Sequence, residues 1–218
     1  MSLYQGFLVF NGQPNDRAVA IGFFSSGALT LAALSLRNRL AGMKLLNRFK
    51  PRWRFVLVGG AGAAIVETFF WAAEKATGAT GVAASPNLAV DLLATMPWYL
   101  LMLALLWKVI TRYRYTLPQI LLLGGVYELG ADGLVGSLLG GKLEPVLLIF
   151  LPLFFPVFIV VYSAMIIPAV IALRDELESW PRPEEPERRW RKAAYGLLPL
   201  LGLLPYLLIF IPVLLLAG

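Results

Sequence analysis

The sequence predicts an all-α membrane protein, a polytopic bundle of about six transmembrane helices that forms a single domain over residues 1–218. Hydrophobic residues make up 59% of the chain and charged residues only 15%, and the mean hydropathy is +0.74. Soluble domains carry about 25% charged residues, so this composition excludes a soluble globular protein of this size. The apolar residues also form runs of about twenty, the length at which a helix crosses ~30 Å of hydrocarbon.

Six runs satisfy this length and are the predicted transmembrane helices. We place them near residues 18–36, 55–76, 88–110, 117–140, 145–172 and 194–217. The basic loop 37–54, the connection 108–114 and the Pro-rich charged linker 174–193 together hold 16 of the 19 Lys and Arg residues. All three segments lie on one side if every run spans the membrane, and the positive-inside rule makes that side cytoplasmic. We therefore expect a multi-pass protein of the cell (plasma) membrane with both termini extracytoplasmic.

Acidic residues show the opposite distribution, because seven of the 13 lie outside the basic segments. They are Asp16, Glu67, Glu74, Asp91, Glu128, Asp132 and Glu144. Glu67 and Glu128 each lie ~20 Å into a helix when counted from the nearest basic loop at ~1.5 Å per residue. A carboxyl in lipid is costly and usually functional, and removal from water favours its neutral form. The sequence therefore predicts an intramembrane acidic site in the extracytoplasmic half, whose candidate acid and base groups are Glu67, Glu128, Asp132 and Asp91.

Aromatic residues crowd the same half of the helices and are candidates for lining a substrate cavity. The substrate-binding candidates are Trp71, Tyr127, Trp98, Tyr99 and Phe155. Aromatic faces attract positive charge, so such a cavity suits a cationic intermediate. An interfacial aromatic belt explains the same residues without a cavity, and the sequence leaves both interpretations open.

Two predicted helical hairpins, residues 55–110 and 117–172, form a weak internal repeat. A Gly-Gly pair precedes Glu67 in the first hairpin, and a second Gly-Gly pair precedes Glu128 in the other. A parallel repeat would place the two glutamates across a shared pseudo-axis, whereas two ordinary hairpins are the alternative. The glycines also predict close approach of helix backbones, since small residues dominate helix packing in lipid.

The order of features after Glu128 carries a resemblance to a known group of proteins. A Gly-rich stretch leads to Glu144-Pro145 and then to Pro152-Leu153-Phe154-Phe155-Pro156. In the earlier hairpin, Met96-Pro97-Trp98 repeats part of this order. The layout resembles integral-membrane carotenoid-modifying proteins, namely carotenoid hydratases and, more distantly, lycopene cyclase domains. Trp98-Tyr99 stands where lycopene cyclases have paired glutamates after the proline.

The resemblance implies an enzyme of carotenoid biosynthesis that uses carboxylate acid–base chemistry on an isoprenoid or other lipid substrate. A protonated carboxyl would donate its proton to a polyene double bond. A second carboxylate and aromatic faces would then hold the carbocation until it loses a proton or captures water. Glu67 or Glu128 would be the acid, and Asp132 or Asp91 the base. No cofactor is predicted, although a divalent cation at the acidic cluster is an open alternative.

Two other classes of function remain open on the same residues. A cation- or proton-coupled transporter or channel would use the same carboxylates, and a membrane scaffold or assembly subunit would pair them with a partner chain. The sequence has no His and no Cys, which excludes histidine-ligated metals, Ser-His triads and thiolate nucleophiles. The expected partners are membrane lipids and an apolar or isoprenoid small molecule, without nucleic acid, and homo-oligomerisation is left open.

Overall fold

The computed structural model describes residues 12–42, 48–131, 145–181 and 189–208, with their side chains except those of 145–154 and 189. These residues form α-helices and one 3-10 helix, and no β-strand occurs among them. The all-α prediction is therefore confirmed. The helices are α1 (Pro14–Ser35), α2 (Arg37–Ala41), α3 (Pro51–Thr77), α4 (Leu88–Arg112), α5 (Leu117–Glu128), α6 (Pro145–Ala172), α7 (Arg174–Ser179), α8 (Arg189–Gly196) and the 3-10 helix Leu198–Gly202.

Four helices are long and apolar enough to cross a membrane: α1, α3, α4 and the part of α6 from Phe155 to Ala172. A shorter apolar helix covers Leu117–Ala131 and so includes α5. Only 28% to 56% of each span is buried within the protein, and outward-facing residues such as Leu93 are as much as 72% exposed. Apolar surface of this extent is stable against lipid tails and not against water. The chain is a membrane protein.

The fourth predicted span, residues 117–140, is described only in its first part. α5 ends at Glu128 and the chain continues as a π-helical turn over residues 129–131. π-Helical turns inside helices are rare and occur often at functional sites. The remaining residues of this prediction, 132–140, lie outside the described ranges.

The sixth predicted span differs from the single helix expected over residues 194–217. α8 ends at Gly196, the 3-10 helix covers Leu198–Gly202, and α-helical residues resume at 203–208. Pro199 explains the interruption, because proline has no backbone N–H and its ring clashes with the preceding helical turn. The last part of the prediction lies outside the described residues.

The bundle is assembled around α6, against which α1, α3 and α5 all pack. A Cβ atom added to Gly62 of α3 would lie 2.7 Å from the carbonyl oxygen of Ala164 in α6. One added to Gly124 of α5 would lie 3.3 Å from the Cβ atom of Tyr162, also in α6. Larger residues at these two positions would push the helices apart. The predicted packing role is confirmed for both glycines.

Local sequence signals fix the helix ends near the site. α3 ends at Gly78, whose φ of 71° lies in the left-handed region that glycine adopts without strain. α4 begins after Asn87, whose side-chain oxygen accepts hydrogen bonds from the amides of Ala89 and Val90. Residues 78–87 therefore join α3 to α4, and we call this segment the cap loop.

The opposite ends of α3 and α4 lie together with α7 and α8. Arg54, near the start of α3, forms an ion pair of 2.5 Å with Glu176 of α7. Tyr115, just after α4, donates a hydrogen bond of 2.6 Å from its hydroxyl to the carbonyl oxygen of Lys192 in α8. We call this part of the bundle the basic end and the part beneath the cap loop the cap end.

Candidate functional site

Two carboxyl groups from different helices meet at the cap end. Glu67 belongs to α3 and is 9% exposed, whereas Asp91 belongs to the first turn of α4 and is fully buried. The side chain of Glu67 interacts with the carboxyl of Asp91. Two ionised carboxylates this close repel each other, which favours a state in which the two groups share one proton. We call these two groups the carboxyl pair.

The two oxygens of Asp91 have different surroundings. Oδ1 accepts hydrogen bonds from the backbone amides of Ala84 at 2.7 Å and Ser85 at 3.3 Å. Oδ2 is buried and receives no hydrogen bond from an N–H or O–H group of the described chain. Oδ2 is therefore the oxygen left for a proton shared with Glu67.

Tyr99 supplies a donor to the other member of the pair. Its hydroxyl donates a hydrogen bond of 2.5 Å to Oε1 of Glu67, and its side chain is 5% exposed. Tyr99 follows Asp91 by eight residues, about two helical turns, so both side chains lie on the face of α4 that packs against α3. A hydroxyl that donates to a carboxylate stabilises its charged form. Tyr99 therefore ties α4 to the Glu67 side chain of α3.

Glu74 extends the acidic group and holds the cap loop. Its Oε2 atom accepts hydrogen bonds of 2.8 Å from the amides of Val82 and Ala83. Asp91 binds the next two amides along the chain, so two carboxylates together bind four consecutive backbone N–H groups. The negative charge of Glu74 also acts on Asp91. Glu74 follows Glu67 by seven residues on the same helical face, and this spacing was the signal in the sequence for its place beside the site.

Further contacts tie the cap loop to the bundle. The indole Nε1 of Trp71 donates to the carbonyl oxygen of Pro86 at 3.0 Å. Asn15, in the first turn of α1, exchanges hydrogen bonds of 3.0 Å and 3.1 Å with the backbone of Thr80. Trp71, predicted to bind substrate, therefore anchors the loop in this structure. The cap loop covers the carboxyl pair from the end of the bundle.

An aromatic group lies on the inner side of the carboxyl pair. The Tyr99 ring packs edge-on against the ring of Tyr162 in α6, with centroids 6.0 Å apart. The hydroxyl oxygen of Tyr162 accepts a hydrogen bond of 3.2 Å from Nε1 of Trp98. Trp98 in turn packs against Tyr206, whose ring centroid is 6.3 Å away. The structure thus brings the predicted residues Trp98 and Tyr99 together with Glu67, and adds Tyr162 and Tyr206 to the group.

The second predicted part of the site lies at the interface of α5 and α6. Glu128 is 8% exposed and follows Gly124 and Gly125 by about one turn, so it shares their face toward α6. A Cβ atom on Gly125 would lie 3.1 Å from the ring of Phe155. Glu128 and the predicted substrate-binding Phe155 therefore belong to one interface. Asp132, the fourth acid and base candidate, lies outside the described residues.

Tyr127 has a structural contact of its own. It is fully buried, and its hydroxyl donates a hydrogen bond of 2.6 Å to the carbonyl oxygen of Gly196. That carbonyl belongs to the last residue of α8, where the helix leaves its final oxygens without partners. Tyr127, predicted to bind substrate, thus ties α5 to the end of α8.

The described residues offer no group of three or more Asp and Glu side chains that could hold a metal ion. Glu74 and Asp91 already use oxygens for the cap-loop amides.

No family model, curated protein or solved structure matches this chain. The site consists of a buried carboxyl pair, a tyrosine hydroxyl that donates to Glu67, a loop bound by carboxylates, and an aromatic group beside Tyr99.

Proposed function

We propose that this chain is a membrane enzyme that performs acid–base chemistry on an apolar isoprenoid or other lipid substrate, with the carboxyl pair as proton donor. The observation that carries the proposal is the buried Glu67 carboxyl, which accepts a hydrogen bond from the Tyr99 hydroxyl and interacts with the buried Asp91 carboxyl. A carboxyl that is protonated in an apolar environment can transfer its proton to a weakly basic substrate group. The resemblance to carotenoid-modifying proteins supports a polyene as that substrate.

The proposed step moves one proton and leaves one cation. The shared proton passes from the carboxyl pair to one carbon of a C=C double bond, forming a C–H bond, and the neighbouring carbon becomes a carbocation. The pair is then doubly ionised, and the Tyr99 hydroxyl and the cap-loop amides stabilise this charge. Loss of a proton from an adjacent carbon back to the pair gives an isomerised alkene. Capture of a water molecule forms a C–O bond, and transfer of one proton of that water back to the pair gives an alcohol.

Aromatic rings have a specific role in this scheme. Tyr99, Tyr162 and Trp98 lie next to the carboxyl pair, and their faces attract a cation more strongly where water is absent. The cap loop limits entry of water from the end of the bundle. Glu128, at the interface of α5 and α6, is a second buried carboxyl within the bundle.

The orientation in the proposal follows the positive-inside rule. The basic end faces the cytoplasm of the cell membrane and the cap end faces outward, in keeping with the expectation that both termini are extracytoplasmic. An apolar substrate would reach the carboxyl pair from the lipid. A second copy of the chain is not required for the chemistry.

The test uses purified protein in lipid vesicles that contain a linear carotenoid polyene and are suspended in D₂O. Mass spectrometry of the extracted polyene measures deuterium incorporation and the gain of water. We expect Glu67→Gln to lower the rate by at least about 100-fold, the usual contribution of a general acid. Glu178→Gln is the control, because Glu178 is 74% exposed at the basic end. Equal rates for wild type and Glu67→Gln, with both proteins folded, would rule out the enzyme proposal.

A proton-coupled transporter is the second candidate, and one observation favours it. Asp91 interacts with Glu67 and also accepts hydrogen bonds from two amides of the cap loop. A change in the protonation of Asp91 would therefore also change how the loop is held. A coupling site requires such a link between proton binding and access. Vesicles loaded with a pH-sensitive dye distinguish the two functions. Proton uptake that is abolished by Glu67→Gln, together with an unchanged polyene, indicates transport. If neither proton uptake nor a change in the polyene is observed, the scaffold or assembly subunit is the remaining class of function.

A further inference from the structure

The basic end contains a cavity of about 460 Å³ between the C-terminal end of α4 and α8. Its lining includes Tyr113, Trp190, Arg191, Tyr195, Leu198 and Leu201. The rings of Tyr113 and Tyr195 meet edge-on with centroids 5.5 Å apart and form one wall. The cavity therefore combines aromatic, apolar and cationic groups, and it lies away from the carboxyl pair.

Three cationic side chains around this cavity are each placed over an aromatic ring. Arg191 lies over Trp190 at 5.7 Å, and Arg112 lies over the cavity-lining Tyr113 at 5.8 Å. Lys192 lies over Tyr115 at 5.0 Å. A ring under a cation restrains its position and leaves its outer side free to bind an anion. Arg112 and Arg191 are exposed, which keeps them accessible.

An apolar stripe continues from the cavity along the chain. It consists of Leu197, Leu201, Leu204 and Leu208, which are 44%, 60%, 60% and 75% exposed. Leu204 and Leu208 are four residues apart in the α-helical residues 203–208 and so share one face, and Leu197 and Leu201 precede them at the ends of the 3-10 helix. The stripe is long enough to lie against a fatty acyl chain, since six helical residues already span ~9 Å.

The acidic residues described at the basic end contact Arg54 and Arg174, which do not line the cavity. Glu176 forms the ion pair with Arg54. Asp175 and Glu178 both lie near Arg174, at 3.2 Å and 4.0 Å. The described part of the basic end therefore presents positive charge at the cavity, next to an exposed apolar face.

We propose that this cavity binds an anionic phospholipid of the surrounding membrane. The phosphate group lies between Arg191 and Arg112, and an acyl chain lies along the stripe that begins at Leu197. Arginine suits phosphate because its planar guanidinium donates two parallel hydrogen bonds. Basic pockets at the ends of membrane helices recognise anionic headgroups through this chemistry, and each cation near the surface adds to the affinity.

The test compares two lipids on the whole purified protein in neutral detergent. Dioleoyl phosphatidylglycerol and dioleoyl phosphatidylcholine are added separately, and native mass spectrometry measures the bound fraction. We expect tighter binding of phosphatidylglycerol, and a loss of about fivefold in affinity for each of Arg112→Gln and Arg191→Gln. Lys75→Gln is the matched control, because Lys75 also lies over a ring, that of Trp71 at 5.9 Å, but at the cap end.

Three results would overturn the proposal. The first is equal binding of the two lipids. The second is an equal loss of affinity in Lys75→Gln, which would indicate a general charge effect. The third is full competition by inorganic phosphate at the lipid concentration, which would show that the apolar stripe is not used. Circular dichroism and gel filtration check the fold, and Arg191→Lys, which keeps the charge and should retain more affinity than Arg191→Gln, replaces any variant that does not fold.

Discussion

Charged side chains have different environments at the cap end and at the basic end of the bundle. At the cap end, Glu74 and Asp91 are buried and bind four backbone amides of the same chain. At the basic end, Arg112 and Arg191 are exposed and rest on aromatic rings. Buried charges without their partners are costly, whereas exposed charges contribute little to stability. Substitutions should therefore affect the fold at the cap end and ligand binding at the basic end.

The strongest test of this difference is Asp91→Ala. The change leaves the amides of Ala84 and Ser85 without their acceptor and removes the partner of Glu67, so we expect the free energy of unfolding to fall by about 3 kcal/mol or more. Unfolding in detergent micelles by increasing SDS measures it. Asp175→Ala is the counterpart at the basic end, since Asp175 is 74% exposed. Equal losses in the two variants would remove the distinction between the ends.

A smaller effect is expected for Tyr99→Phe, which removes one hydroxyl and keeps the ring. Loss of the hydrogen bond to Glu67 should lower the free energy of unfolding by about 2 kcal/mol, the usual value for a bond to a charged group. Tyr195→Phe removes a hydroxyl at the basic end, where the ring contact with Tyr113 is retained. It should leave stability nearly unchanged in the same titration. A larger loss in Tyr195→Phe than in Tyr99→Phe would contradict the comparison.

Arg54→Met tests the partly buried ion pair between Arg54 and Glu176 at the basic end. Arg54 is 13% exposed and its partner Glu176 is 35% exposed, so solvent screens part of the attraction. We expect the free energy of unfolding to fall by about 1 kcal/mol. A double-mutant cycle with Glu176→Gln isolates the pair. Arg52→Met, which removes an exposed cation over Trp53, serves as the reference, and a coupling energy near zero would show that the ion pair does not stabilise the end.

The smallest change in stability is expected for Arg191→Ala. Its side chain is exposed and its described contact is with the Trp190 ring, so the free energy of unfolding should change by no more than about 0.5 kcal/mol. Binding of phosphatidylglycerol should nevertheless fall. A stability loss as large as that of Asp91→Ala would mean that the basic end is held together by its charges.

The fold class could be predicted from the sequence because it depends on properties that are local in the chain. Runs of about twenty apolar residues identify the long helices, and Gly62 and Gly124 identify close helix contacts. The interruption of the last predicted helix had a local signal as well, in Pro199. The apolar composition around that proline dominated the prediction, although composition says nothing about the geometry of the backbone.

The site could be predicted only in part, because its contacts join distant parts of the chain. Glu67 and Asp91 were both candidates, but nothing in their spacing indicates that their carboxyls meet. Tyr162 has no local signal for its place beside Tyr99, since only the packing of α6 puts it there. Trp71 and Tyr127 were assigned to a cavity by residue type, and the structure gives both of them hydrogen bonds to backbone carbonyls. Residue type indicates what chemistry is available, and tertiary packing decides which group performs it.

Hydrogen exchange at the backbone amides of the cap loop reports whether the loop is held over the carboxyl pair. Its amides from Val82 to Ser85 lie in a loop, where exchange with solvent deuterium is usually fast, yet all four are bound by two carboxylates. Slow exchange at these four positions would therefore record that the side chains of Glu74 and Asp91 are in place. Faster exchange on addition of a substrate would record the opening of the loop without any label on the protein.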